Sequence, residues 1–184
     1  MGNEISLVER TVERWLDEVV IGLNFCPFAA KPRRNEQVRF VTSEASSEES
    51  LLTDLQDELT FLDQTPPSEI ETTLLIVPEM LTDFYDYNQF LDLVDELLAR
   101  FEWEGVFQVA SFHPDYCFAD AESDSVENLT NRSPYPILHI IREESIENAL
   151  ENITEPDEIY KRNIQTMKKL SVDQMKTLFP HLND

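Results

Sequence analysis

Glycine and cysteine are scarce in this chain. Three glycines in 184 residues exclude the glycine-rich loops that cradle phosphate groups in many nucleotide-binding proteins. The two cysteines, Cys26 and Cys117, are too few for a disulfide framework, and we expect both to be free thiols in a reducing compartment. Neither a Gly-x-Ser-x-Gly elbow nor a His-Glu-x-x-His pair occurs, so two common hydrolase signatures are missing as well.

Long apolar runs and positive charge are also lacking. No apolar segment approaches the roughly 20 residues that span a bilayer. The first residues alternate charged and apolar types, unlike a secretory signal. The chain has 37 Asp and Glu against 14 Lys and Arg, for a formal net charge of −23. Such a charge repels phosphate backbones and anionic lipids, so we expect a cytoplasmic protein that binds neither nucleic acid nor membranes.

The apolar pattern predicts helices and strands in alternation. Apolar residues recur at helical spacing from Val8 to Val19, with Gly22 as the stop. A capping box of Ser46 and Glu49 predicts the start of a second helix, and Asp83 that of a third. Short apolar or β-branched runs predict four strands. The strands are Val38–Thr42, residues 72–77, residues 106–112 and Ile137–Arg142, and three helical segments follow them at 146–150, 157–170 and from Ser171.

The resulting order of elements is α-β-α-β-α-β-β-α-α, which writes the three C-terminal helical segments as two. We predict an α/β (mixed α+β) fold, with a single domain over residues 1–184 and helices packed on one mixed four-stranded sheet. Helices between the first three strands favour parallel crossovers. The last two strands are joined by a long polar connection at residues 118–135, so an antiparallel pair is expected there. Connections of this length are often functional.

Stretches without Asp or Glu are unusual in a chain this acidic. Three occur, at residues 19–35, 105–114 and 129–142. Burial explains the strand residues but not the polar and cationic ones. These are Lys31, Arg33, Arg34, Asn131, Arg132 and Arg142. A local positive potential on a negative protein is what an anion pocket requires, although purely structural arginines would explain the pattern equally well.

Two residues suit catalysis. His113 ends a strand and precedes a proline, so we expect its ring near the loops where α/β domains place their sites, as a general acid or base. Cys26 is a nucleophile in this hypothesis, or else part of the pocket wall. Candidate ligand-binding residues lie around a loop stiffened by Pro134 and Pro136. They are Asn131, Arg132, Ser133, Tyr135, His139 and Arg142, and a core position is an alternative for His139.

The sequence therefore favours a small-molecule enzyme, a hydrolase or group transferase, with an Arg/His pocket for a small anionic metabolite. It identifies neither a cofactor nor the oligomeric state. Two alternatives stay open. His113 and Cys117, joined by Cys26 and His139, would supply four tetrahedral metal ligands. A non-catalytic interaction module would instead present aromatic residues to a partner protein. The aromatic residues in question are Phe84, Tyr85 and Tyr87, for which core packing is the other explanation.

Several motifs taken together resemble one known family. They are VIGLNFCPFA at residues 20–29, ETTL at 71–74, DF at 83–84, YN at 87–88, QVASFHP at 108–114, TNRSPYP at 130–136 and RNI at 162–164, with Trp15 and His139. This combination is similar to an uncharacterised bacterial family, domain of unknown function 1415, over about residues 5–172. The resemblance implies no activity, substrate or cofactor, so the functional alternatives stay open.

Overall fold

A computed structural model describes residues 6–151, 155 and 157–182. The strands are β1 (Val38–Thr42), β2 (Thr72–Ile76), β3 (Phe107–Phe112) and β4 (Ile137–Arg142). The α-helices are α1 (Leu7–Trp15), α2 (Ala30–Arg34), α3 (Glu48–Gln64), α4 (Phe84–Arg100), α5 (Glu143–Leu150), α6 (Asp157–Lys169) and α7 (Val172–Leu178). A π-helix spans Leu16–Ile21, and 3-10 helices span Val126–Asn131 and Pro180–Leu182. The predicted mixed α+β fold with one four-stranded sheet is confirmed.

The strands lie in the order β1-β2-β4-β3. β1 and β2 pair in parallel, as expected for strands joined by a helix. β4 pairs antiparallel with both β2 and β3, which confirms the expected antiparallel pair. β4 thus lies between β2 and β3, and those two strands run in the same direction without touching. His113 directly follows β3, at the end of the sheet where β1 and β2 also finish.

Each face of the sheet carries its own apolar layer. Along β2 successive side chains point to opposite faces, so Leu75 packs with helices α3 and α4 while Leu74 and Ile76 pack with α1 and the π-helix. The second layer also takes in Met167 of α6 and Phe179, which directly follows α7. The sheet is therefore covered by helices on both sides, and the C-terminal helices belong to the α1 side.

The first helix ends where the sequence predicts but changes its pitch on the way. After Trp15 the backbone becomes π-helical, and the Gly22 N–H donates to the carbonyl of Asp17 at 3.0 Å, five residues earlier. A Cβ at position 22 would collide with the carbonyl oxygen of Glu18. Glycine is thus required at this turn for close backbone approach. The short helix α2 was not predicted.

The start of α3 corrects one sequence prediction. The N-cap is Ser47, whose Oγ accepts from the Ser50 N–H at 3.2 Å while the Ser50 Oγ accepts from the Ser47 N–H at 3.1 Å. The predicted Ser46–Glu49 box is wrong by one residue. The observed box has serine at both ends, whereas the prediction required a glutamate at its second position. The predicted helix starts at Asp83 and Ser171 are confirmed, and each of these residues is the N-cap.

Candidate functional site

The backbone around Arg132 is held by groups from two distant parts of the chain. The His113 N–H donates to the carbonyl of Asn131 at 3.2 Å, and the Ser133 N–H donates to the carbonyl of His113 at 3.4 Å. Between these two bonds, the carbonyl of Arg132 accepts from Trp15 Nε1 at 3.1 Å. The end of β3 and the first helix therefore fix where the Arg132 side chain emerges.

The Arg132 side chain is held as well. Its Nε donates to the carbonyl of Tyr116 at 3.1 Å, and its Nη2 donates to the carbonyl of Ser123 at 2.7 Å. Both carbonyls belong to the long connection between β3 and β4. Asn128, fully buried, orders the same connection, because its Oδ1 accepts from the Phe118 N–H and its Nδ2 donates to the carbonyl of Glu122. The predicted functional loop is thus a compact scaffold that orients one guanidinium.

Arg132 lines a groove between this connection and the C-terminal helix, here called the Arg132 groove. Its volume is about 270 Å³. The other lining residues are Leu129, Val172, Met175, Lys176, Phe179 and Leu182. Phe179 is almost fully buried and anchors α7 to the core. The groove joins one planar cation and one ammonium group to a mostly apolar wall, a combination that suits an organic anion.

His113 does not line the groove, although its backbone bonds to both neighbours of Arg132, and it is fully buried. Its ring packs against Phe84 and Tyr87 of α4, with centroids 5.3 and 5.1 Å away. The Asp115 N–H donates to Nδ1 at 2.9 Å, so Nε2 carries the proton and donates to the carbonyl of Leu81 at 2.9 Å. Burial lowers the pKa of His113. Both ring nitrogens therefore already make hydrogen bonds within the protein, and neither is available to a substrate in this arrangement.

Cys26 occupies the loop after the π-helix and packs against the α1-side apolar layer. Burial raises the pKa of its thiol, which keeps the protonated, weakly nucleophilic form at neutral pH. His113 packs instead against α4, on the other face of the sheet. Within the described residues, no group of three or more His, Cys, Asp or Glu side chains could hold a metal ion. The four predicted metal ligands are thus not assembled together.

The residues flanking Arg132 shape the loop. Asn131 donates from Nδ2 to the carbonyl of Ser111 at 3.1 Å, and its Oδ1 accepts from Thr130 Oγ1 at 3.2 Å. Ser133 is fully buried and donates from Oγ to the carbonyl of Tyr135 at 2.6 Å. Tyr135 packs against the α1-side apolar layer. All three lie within three residues of Arg132 in the chain, but none of them lines the Arg132 groove.

The two remaining predicted ligand-binding residues belong to β4. Thr72 Oγ1 donates to the carbonyl of Ile140 at 2.6 Å, so it must accept from His139 Nε2, 2.8 Å away. Arg142 Nη2 donates to the carbonyls of Leu62, Thr65 and Ile70 at 2.7–3.0 Å. These carbonyls lie at and beyond the end of α3, so Arg142 caps that helix. Neither residue lines the groove.

The interaction-module alternative placed three aromatic residues of α4 on one surface. Tyr85 is 70% exposed, but Tyr87 is fully buried and donates from its hydroxyl to the carbonyl of Ile137 at 2.6 Å. Phe84 is half-buried against the α3–α4 layer. The expectation of a shared partner surface is therefore wrong for Tyr87, which core packing explains.

A larger cavity of about 470 Å³ lies between the end of β1 and α3. Its lining includes the carboxylates of Glu44, Asp54, Asp57 and Glu58. Asp54 accepts a 2.6 Å hydrogen bond from Ser43 Oγ. This acidic lining disfavours an anion, which distinguishes the cavity from the Arg132 groove.

Comparison with known proteins identifies a family but no characterised relative. In the part of the chain that the structure describes, no helix is long and apolar enough to cross a membrane. No curated protein and no solved structure matches the chain. A family model described as a protein of unknown function, DUF1415, matches residues 7–177. That span covers almost the whole sequence, and the chain therefore belongs to the DUF1415 family.

Proposed function

We propose that this protein binds a small organic anion in the Arg132 groove. The observation that carries the proposal is the fixed guanidinium of Arg132 beside an apolar wall. A guanidinium already oriented by two carbonyls loses little side-chain freedom when an anion binds. Partial removal from water strengthens its hydrogen bonds to a carboxylate or phosphate oxygen.

The overall charge of the protein bears on how such a ligand is held. A formal net charge of −23 repels an anion at long range and slows its approach. The affinity must therefore come from contacts inside the groove: hydrogen bonds from Arg132, the nearby ammonium of Lys176, and burial of apolar surface.

The groove favours binding over catalysis. Among the described residues that line it there is no Ser, Cys, His, Asp or Glu, so those residues supply no hydroxyl or thiol nucleophile and no carboxylate or imidazole base. His113 and Cys26, the predicted catalytic pair, do not line it. A hydrolase or group transferase stays a prediction from sequence, and a ligand-binding protein is the function that the geometry supports best.

A thermal-shift screen against small carboxylates and phosphates tests this proposal. A ligand present at about a hundred times its dissociation constant should stabilise the fold by about 2.7 kcal/mol, or roughly 5–10 °C for a chain of this size. The shift should disappear in Arg132→Ala. Arg132→Lys should retain part of it, because the charge remains while the planar donor geometry is lost.

The matched control is Arg34→Ala, which removes one exposed positive charge elsewhere. It should bind as the unmodified protein does. Melting without ligand separates lost binding from a loosened loop, because Arg132 also holds two carbonyls of the long connection. The proposal is wrong if folded Arg132→Ala protein shows the full ligand-induced shift, or if no anion in the screen shifts the unmodified protein.

A further inference from the structure

The residues that line the Arg132 groove specify its ligand more closely than as a small anion. Five of its seven lining residues are apolar: Leu129, Val172, Met175, Phe179 and Leu182. Among the described lining residues no side chain carries a hydroxyl, amide or carboxylate group. A sugar phosphate or nucleotide would leave hydroxyl or amide groups unpaired against this wall, at a cost of about 1–3 kcal/mol for each.

The charged part of the groove suits a singly charged head group. The guanidinium has five N–H groups, and it donates to the carbonyls of Tyr116 and Ser123. The donors left over can hold the two oxygens of a planar carboxylate. A phosphate dianion has more charge to remove from water and more oxygens to satisfy.

The volume of the groove sets how much of a ligand it can bury. Liquid water takes up about 30 Å³ per molecule, so a groove of about 270 Å³ holds about nine heavy atoms by that measure. Three of these form a carboxylate, which leaves an aliphatic chain of about five to seven carbons. Met175 adds adaptability, since its unbranched thioether can fit chains that differ slightly in shape.

We infer that the ligand of the Arg132 groove is a medium-chain monocarboxylate, with its carboxylate on Arg132 and its aliphatic chain against α7. This inference rests on the proposed function and specifies its ligand. The carboxylate accepts N–H donors from the guanidinium, and the ammonium of Lys176 adds positive potential beside it. The methylene groups bury the apolar surface of Val172 and Met175.

Calorimetric titration of the full chain with acetate, butanoate, hexanoate and octanoate tests the inference. Each added methylene that enters the groove should tighten binding about fourfold, so hexanoate should bind about 16-fold more tightly than butanoate. The gain should level off when the chain exceeds the groove. Hexylamine, which has the same chain and the opposite charge, should not bind.

Two variants of α7 provide a matched pair. Val172 is 65% exposed, so Val172→Asp adds a carboxylate to the groove with little effect on the core. It should weaken hexanoate binding at least tenfold. Thr177→Asp adds the same charge to an exposed position of the same helix that does not line the groove. It should leave hexanoate binding close to that of the unmodified protein.

The outcomes separate this inference from the proposed function. Inorganic phosphate or acetate could bind as tightly as hexanoate and lose this binding in Arg132→Ala. That result would support the anion site and overturn the medium-chain ligand. If no carboxylate binds in this titration and no anion shifts the melting temperature in the thermal-shift screen, the proposed function and this inference are both wrong. If hexanoate binds equally well to the unmodified protein, Val172→Asp and Arg132→Ala, the chain lies elsewhere and the inference is overturned.

Discussion

Two arginines that look alike in the sequence have different surroundings in the structure. Arg142 Nη2 donates to three carbonyls near the end of α3, while Arg132 donates to one carbonyl from each of two nitrogens. Arg142 also lies over the ring of Phe107 and does not line the Arg132 groove. Both residues stand in one stretch free of acidic residues, so local composition could not tell the helix cap from the groove cation.

His139 is held in its neutral form by its surroundings. Burial lowers its pKa to about 4, and its Nε2–H already donates to Thr72 Oγ1. In the unfolded chain a histidine titrates near pH 6.5. As the pH falls from about 6.5 to about 4, the unfolded chain therefore takes up a proton before the folded protein does, and the free energy of unfolding decreases.

Replacement of His139 by glutamine should remove this pH dependence while keeping an N–H donor for Thr72. Relative to His139→Gln, the unmodified protein should lose up to about 3 kcal/mol of unfolding free energy between pH 6.5 and pH 4. Urea unfolding of both proteins at a series of pH values measures the difference. Burial also lowers the pKa of His113 and His181, but both residues are present in the two proteins, so their contributions largely cancel. Parallel pH profiles for the two proteins would contradict the assignment.

Among the elements, α3 shows which features of a helix can be predicted from residues close together in the sequence. Its predicted apolar stripe follows helical spacing in the sequence and consists of Leu51, Leu52, Leu55, Leu59 and Leu62. Four of these leucines are fully buried, and Leu52 is half-buried against the same core. The stripe repeats every three to four residues, a period that only a helix presents on one face. The starting residue does not follow from this spacing, because serine occupies both position 46 and position 47 and either can act as an N-cap.

Substitution at the start of α3 should distinguish these two registers. Ser47→Ala removes the oxygen that accepts from the Ser50 N–H and should lower the free energy of unfolding by about 1 kcal/mol. Ser46→Ala, one residue earlier and exposed, should change it by less than about 0.5 kcal/mol. Chemical denaturation of the pair measures this. A larger loss for Ser46→Ala would place the cap at the residue first predicted from sequence.

For the molecule as a whole, the excess of negative charge is the main electrostatic influence on the stability of the fold. Ion pairs such as Arg39 with Glu58, at 2.8 Å, and Arg33 with Asp17, at 2.8 Å, use some of the few cations. The formal net charge of −23 leaves most carboxylates without a cationic partner. Repulsion among them opposes the compact state. Salt weakens both the ion pairs and the repulsion, and the excess of acids decides which effect is larger.

Added potassium chloride should therefore stabilise this protein. The screening length falls from about 30 Å at 0.01 M to about 10 Å at 0.1 M, so most long-range repulsion should be removed over that range. We expect the melting temperature to rise between these concentrations and to change less above them. Sucrose at matched osmolality is the control for solvent exclusion. A melting temperature that falls with salt would show that ion pairs outweigh the repulsion.

Hydrophobic periodicity was sufficient for the kinds and order of most elements and for the mixed sheet. Each of these features depends on residues within one or two turns or strands of each other, whose spacing is visible in the chain. Motifs such as TNRSPYP likewise pointed to Arg132. Periodicity and motifs did not predict three features of the structure. These are the position of β4 between β2 and β3, the burial of His113 and the Arg132 groove. Leu129 and Val172 line one groove only because α7 lies beside the connection before β4, and such an arrangement depends on packing between distant segments.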